Sequence, residues 1–352
     1  MQNLPSPREG EGQGVRGRGR RCNSPACSVH VVPPMIQTSA PAKLILCGEH
    51  AVVYNRPAIA LPLGNVRAYA EAQPGAPGAG LRFVAPDLGA DWGFADDPQN
   101  PLNELAAAAL AYLNAPVPDL TVTLRSDIPI AGGMGSGAAI GAALVRALAA
   151  HAGRELPPAE ISAMVYASEG RYHGTPSGID NTVIAYEQAI WFHRRPPAPP
   201  LITPVAIGAP LTLVVGDTGV RSATRLPVGA VRERWQADPV VYEGLFDAVG
   251  DLVARARDAL ASGDRTALGG ILDDNQRLLA QIGVSSPDLE QLIGAARAAG
   301  ALGAKLSGAG WGGVMIALAP PNGHSQIADA LRAAGASRVR VATVPANDHI
   351  VG

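Results

Sequence analysis

Residues 129–144 read PIAGGMGSGAAIGAAL. Gly132, Gly133, Gly135 and Gly137 free this backbone to turn tightly and to approach a ligand closely. An Ala/Leu-rich helix is predicted directly after it, from residue 138, in AAIGAALVRALAAHAG. Unpaired amides at a helix N-terminus, backed by the helix dipole, form an anion site. Ser136 adds a hydroxyl for phosphate or metal. On these grounds the stretch is a phosphate-cradling loop. Other glycine motifs fit it less well. GMGSGA (133–138) satisfies the loose dinucleotide pattern, but SDIPIAG separates it from its strand. No acidic residue ends a second strand ~20 residues on, as ribose binding requires. A Walker loop is excluded because no Gly-Lys-Ser/Thr follows.

Three further segments carry chemistry. LSGAGWGGVMIAL (306–318) places Gly308, Gly310 and Gly313 before a predicted strand rather than a helix. It reads either as a tight hairpin or as a backbone wall against a ligand. APAKLILCGEHAVVYNRPAIA (40–60) sets Lys43, Glu49 and His50 in an otherwise apolar run. Buried charge is costly unless paired, so these three are expected to share a site. SEGRYHGTPSGIDN (168–181) puts Glu169 at the end of a predicted helix and Asp180 after a Pro-Ser-Gly turn. Taken alone, Ser177 or Asp180 would read as a helix cap.

The 352 residues suit two domains of ~150 residues. At 47% hydrophobic and 16% charged, the chain can fill a packed interior. A net charge of −2 gives no global pull toward nucleic acid or an anionic membrane. No apolar run reaches the ~18 residues of a membrane span, and no secretory signal is read, so a cytoplasmic location is expected. Three cysteines (Cys22, Cys27, Cys47) make no disulfide framework, and Cys22 and Cys27 have no nearby ligand pair for zinc. Residues 1–34 are rich in Gly, Pro and Arg, with five arginines against two glutamates. They read as a disordered basic tail, by one account a start codon called too early, by another an arm for nucleic acid or an acidic partner. Ordered patterning begins at Met35.

Beyond it, strands are expected at 38–47, 57–63, 66–73, 81–86 and 120–125, and helices at 103–115, 138–153 and 157–173. The Pro-rich stretch 194–200, RRPPAPP, is taken as the domain boundary, dividing 35–197 from 198–352. A strand at 211–217, helices to about 299, two strands around Gly308–Gly310, a helix near 324–335 and a strand at 338–344 complete an α+β chain.

Together the four segments resemble the GHMP kinase superfamily. Its nucleotide loop runs Pro-x-x-x-Gly-Leu/Met-Gly-Ser-Ser-Ala, which Pro129 to Ala138 match at all but one place. Its Gly-Ala-Gly-x-Gly-Gly run is matched by Gly308 to Gly313. KLILCGEHAVVYNRPAIA, HGTPSGIDN, DTGVRSATR (217–225) and DDNQRLLAQIGVSSPDLEQL (273–292) look most like the branch that acts on mevalonate. The likeness covers about 36–345 and implies an N-terminal ribosomal S5-like α/β domain and a C-terminal ferredoxin-like α+β domain. It implies ATP and Mg2+ as cofactors, a small-molecule alcohol, mevalonate, as acceptor, and leaves a homodimer open. ATP would lie on Pro129, Ile130, Ala131, Gly132, Gly133, Met134, Gly135, Ser136, Gly137, Ala138 and Ala139. By the same resemblance Asp180 is the general base and Lys43 its cationic neighbour. Glu169 holds magnesium, with Ser136 beside it. Glu49 and His50 orient substrate, and Thr224 and Ser307 touch substrate or phosphate. One departure stands out: Gly137 occupies the place of the loop's second serine, which in the family helps to bind magnesium.

Overall fold

The computed structural model describes residues 35–129, 132–173 and 177–347. The tail 1–34, and with it Cys22 and Cys27, lies outside the described residues, as do Ile130 and Ala131 of the glycine loop.

The first sheet has seven strands. β1 (Ile36–Cys47) pairs antiparallel with β2 (Pro57–Pro74), which is one long strand rather than the two expected. The break read at 64–65 is an irregularity: Ala42 faces Leu63, whereas Pro41 faces Arg67, so residues 64–66 bulge out of register. β3 (Leu81–Ala85) and β4 (Ala90–Gly93) form a hairpin, and β5 (Leu120–Ser126) lies between β3 and β2. β5 pairs with residues 68–74 of β2 and β6 (Ile190–Arg195) with residues 57–60, both on the edge opposite β1, and β7 (Ala198–Pro204) pairs with β6.

This last pairing corrects the expected boundary. RRPPAPP does not divide the chain; it turns β6 back into β7, with Arg195 opposite Ala198 and Ile190 opposite Pro204. Prolines cannot donate to a ladder, and β7 tolerates Pro199 and Pro200 because it is the edge strand. The chain leaves this sheet only between Pro204 and Leu211.

Four helices accompany the first sheet: α1 (Pro101–Leu113), α2 (Ser136–His151), α3 (Pro158–His173) and α4 (Ile179–Tyr186). α2 is the central one. Its alanines and Gly141 let neighbours approach closely; a Cβ on Gly141 would stand 2.9 Å from Leu105 of α1. α4 was anticipated only through the reading of Ser177 or Asp180 as a helix cap. It is eight residues long, and its β-branched Ile, Thr and Val disfavour an isolated helix. Packing supplies the missing stability, since Ile179, Val183 and Ile184 are buried.

The second sheet is antiparallel, in the order β11-β8-β10-β9: β8 (Leu211–Asp217), β9 (Gly303–Ser307), β10 (Val314–Leu318) and β11 (Arg338–Val344). Between β8 and β9 run α5 (Arg225–Ala237), α6 (Pro239–Ser262), α7 (Arg265–Ile282) and α8 (Pro287–Ala298). α9 (His324–Ala333) connects β10 to β11. Numbered within this half, the order is 4-1-3-2, the ferredoxin-like pattern with an enlarged first helical connection. No described helix is long and apolar enough to cross a membrane.

Candidate active site

The site forms where the C-terminal end of β1 meets α2, α4 and β9. Lys43 emerges from β1 among buried alanines and leucines and is only 3% exposed. Its Nζ lies 2.8 Å from Asp180 Oδ1, on the first turn of α4. Its backbone amide donates to the Met134 carbonyl, 3.0 Å away, which fastens β1 to the glycine loop. Gly135 is required here. Its φ is +76°, and a Cβ would stand 2.7 Å from Ile184 and 3.0 Å from the Lys43 stem. The lysine therefore reaches Asp180 by passing over the bare backbone of the loop.

The helix that carries Asp180 is held from several sides. The Asn181 amide donates to Ser162 of α3, and the Thr182 hydroxyl donates to the Gly178 carbonyl. At the far end of α4, Glu187 accepts from Arg67 of β2 and Arg146 of α2. Arg146 also donates to the Ser39 and Ala185 carbonyls. Glu169, near the end of α3, faces the start of α2: a Cβ on Gly137 would be 4.0 Å from Glu169 Oε1. Burial, and then the Asp180 charge, raise the Glu169 carboxyl to about 7 against the opposing pull of Lys43. Such a carboxyl is short of positive charge. Ser136, Gly137 and Ala138 contribute first-turn amides, which have no intrahelical partner.

The second glycine run closes the other side. Gly308 and Gly313 would set Cβ atoms 3.6 and 3.5 Å from the carbonyls of Gly133 and Gly132. The run turns β9 into β10, as the hairpin reading expects, and packs its backbone against the 132–133 turn.

The expected substrate contacts fare differently. The Ser307 hydroxyl accepts from the Ile45 amide at 3.1 Å and donates to the Ile45 carbonyl at 2.9 Å. It stitches β9 to β1 and has no donor left for phosphate or substrate, because those two bonds occupy it. His50 Nε2 lies 3.0 Å from the Ala309 carbonyl, and burial lowers this imidazole to about 4 although that bond favours its charged form. It is neutral at pH 7 and donates to Ala309. Glu49 is paired with Lys305 of β9, and both are buried. Thr224 is exposed at the start of α5 and its side chain does not cap that helix. Lys305 went unread in the sequence, although a lone lysine inside GAKLSGAG calls for a partner by the same argument that singled out Lys43. A cavity of about 410 Å³ lies against another face of α4, lined by Asn181, Thr182, Tyr166 and Arg194. It omits Asp180, Lys43 and the glycine loop, and we place the site by its chemistry instead.

A carboxylate and an ammonium in contact, beside an amide-rich helix start and a second carboxylate, suit transfer of a phosphoryl group to an alcohol. On the present fold they define a GHMP-type small-molecule kinase that uses ATP. The family models agree: GHMP kinases N terminal domain matches residues 102–188 and GHMP kinases C terminal matches 256–337. The mevalonate kinase of Thermococcus sibiricus is 35% identical over 321 residues, spanning 85% of this chain and 93% of its own. That of Aeropyrum pernix is 37% identical over 292 residues, spanning 80% and 88%. The crystal structure of L. major mevalonate kinase in complex with R-mevalonate superposes with a TM-score of 0.77 at 31% identity, covering 89% of this chain and 97% of that one. The chain belongs to the mevalonate kinase family.

His50 sets a pH dependence of stability. Its imidazole is depressed from 6.5 to about 4, so its contribution is complete above pH 6.5 and is lost as the pH falls toward 4. That loss amounts to roughly 3 kcal/mol. Denaturant titrations across this window should show it in the wild type and not in His50→Gln; parallel curves would show that His50 does not titrate as described.

Proposed function

We propose that this protein transfers the γ-phosphoryl group of ATP to the 5-hydroxyl of mevalonate, giving 5-phosphomevalonate for isoprenoid biosynthesis. The observation that carries the reading is the 2.8 Å Lys43–Asp180 pair set against the 132–138 turn. Phosphoryl transfer needs alignment and charge neutralisation more than covalent chemistry. The first-turn amides of α2 receive the phosphates. Asp180 accepts the proton of the alcohol. Lys43, in contact with Asp180, stabilises the alkoxide as it develops.

Glu169 and Ser136 suit magnesium, a hard cation that takes oxygen donors. The fit rests on Glu169, whose carboxyl is raised to about 7 beside Asp180 and would be relieved by a cation. When bound, the ion would neutralise charge on the outer phosphates. Gly137 offers no hydroxyl, so water is expected to fill that coordination place.

Rival acceptors fit less well. A second phosphate on the substrate would need additional cations. Of the two arginines in DTGVRSATR, Arg221 is already held by both oxygens of Asp217, at 2.7 and 2.8 Å, and Arg225 is exposed. A sugar kinase would show a polar sugar-binding Asp after Glu49-His50, where this chain has buried Ala51 and Val52. A silent nucleotide sensor would have no use for a buried Lys43 paired with a half-buried Asp180.

A coupled ATP assay with mevalonate, phosphomevalonate and galactose should show turnover with mevalonate. Asp180→Asn should lower kcat ~100-fold or more with ATP binding nearly intact. Full turnover in that variant would remove Asp180 from the role of base. Gly137→Ser should lower the Mg2+ concentration for half-maximal activity by about threefold, through one added oxygen donor beside Glu169. An unchanged magnesium titration would mean that residue 137 does not face the metal.

A further inference from the structure

Lys305 is fully buried on β9, and Glu49, 1% exposed, follows β1. Their ion pair joins a strand of the second sheet to the segment that carries Lys43. Lys305 also donates to the Leu306 carbonyl, whereas the other Glu49 oxygen, Oε2, is buried without a hydrogen-bond partner. Two parallel links flank the pair: Ser307 to Ile45 and His50 to Ala309. Either would hold the two segments together without any charge. A buried pair of charges is weak as a means of stabilisation, because desolvation offsets much of its attraction. Its presence between two neutral links calls for another reason.

The reason lies with Lys43. The charged and titratable groups acting on Glu49 are Lys305 from β9, and Lys43 and Cys47 from β1, with neutral His50 next in sequence. Burial, then Glu49, pushes the Cys47 thiol up to about 12, so it stays neutral. Glu49 follows the strand that carries Lys43 and keeps one oxygen, Oε2, without a hydrogen-bond partner; among the described residues Lys43 is the second cation, after Lys305, that its charge attracts, and it is the cation in contact with Asp180. We propose that Lys305 is a positioning residue for phosphoryl transfer: by holding the Glu49 carboxylate, it keeps that charge from competing with Asp180 for the Lys43 ammonium. This rests on the reading of Lys43 and Asp180 given above and adds a residue that acts only through them.

Without Lys305, Glu49 would stay protonated at low pH, because burial disfavours its charged form. As the pH rises, it would ionise and pull on Lys43. Lys305→Met should therefore lose kcat about 100-fold at pH 8 and recover part of it toward pH 6. The double variant Lys305→Met/Glu49→Gln, with both charges gone, should lie within about tenfold of wild type and show the wild-type pH profile. A second readout needs no substrate: relative to wild type, the Tm of Lys305→Met should fall as the pH rises from 5 to 8, and that of the double variant should not.

The proposal is overturned if Lys305→Met keeps wild-type kcat at pH 8. It is overturned equally if that variant is slow with an unchanged pH profile and the double variant is no faster, since Lys305 would then be packing alone. Should Lys305→Met fail to fold, the double variant decides: folded and active upholds the proposal, folded and inactive overturns it. Wild type and Asp180→Asn in the same assay keep the two claims apart, because they report on the function and not on Lys305.

Discussion

The architecture depends on a lysine ammonium that has left water. Lys43 is 3% exposed, and an unpaired charge at that depth would cost several kcal/mol. Asp180 supplies the counter-charge, but it is 137 residues away in sequence and must be delivered by a separate helix. Much of the N-terminal half serves that delivery. β1 pins the lysine backbone to Met134, Gly135 clears a path for its stem, and the arginines around Glu187 fasten α4 to β1, β2 and α2. What the pair provides is a carboxylate in contact with a cation beside the glycine turn.

The second sheet contributes proximity. Ser307, Lys305 and Ala309 each bond the 45–50 segment, and together they bring Gly308 and Gly313 against the carbonyls of Gly132 and Gly133. The contact is backbone against backbone, and the positive φ of Gly308 and Gly313 is what favours glycine at both places. Charge is also divided between the two halves. Lys43 belongs with Asp180 and Lys305 with Glu49, and Arg221 is occupied by Asp217, whose carboxyl burial would raise but which Arg221 and the Gly219 amide hold below its usual range.

Several parts were legible in the sequence because one local rule determined each. The 132–138 turn follows from glycines ahead of an alanine-rich helix, and Lys43 and Glu49 follow from charge in an apolar run. Period-two alternation sufficed for β5. The misreadings came where long-range packing overruled local preference. RRPPAPP carries strong breaker residues, yet an edge strand accepts them. IDNTVIAY is a poor helix by propensity and becomes one because α2 and α3 bury it. Ser307 looked like a contact for substrate or phosphate, and only the packing of β9 against β1 shows its hydroxyl bound to Ile45. Nothing in a linear reading says that Lys305 meets Glu49, 256 residues apart, although each alone asked for a partner.

The central claim is spatial: alcohol, carboxylate, ammonium and triphosphate tail meet at one point. A crystal structure with mevalonate and a non-hydrolysable ATP analogue tests it most directly. The account requires the 5-hydroxyl oxygen within about 3 Å of an Asp180 carboxylate oxygen, with the phosphate tail on the amides of 136–138. A phosphate tail seated away from that turn, or an acceptor hydroxyl out of reach of Asp180 and Lys43 in the closed ternary complex, would contradict it.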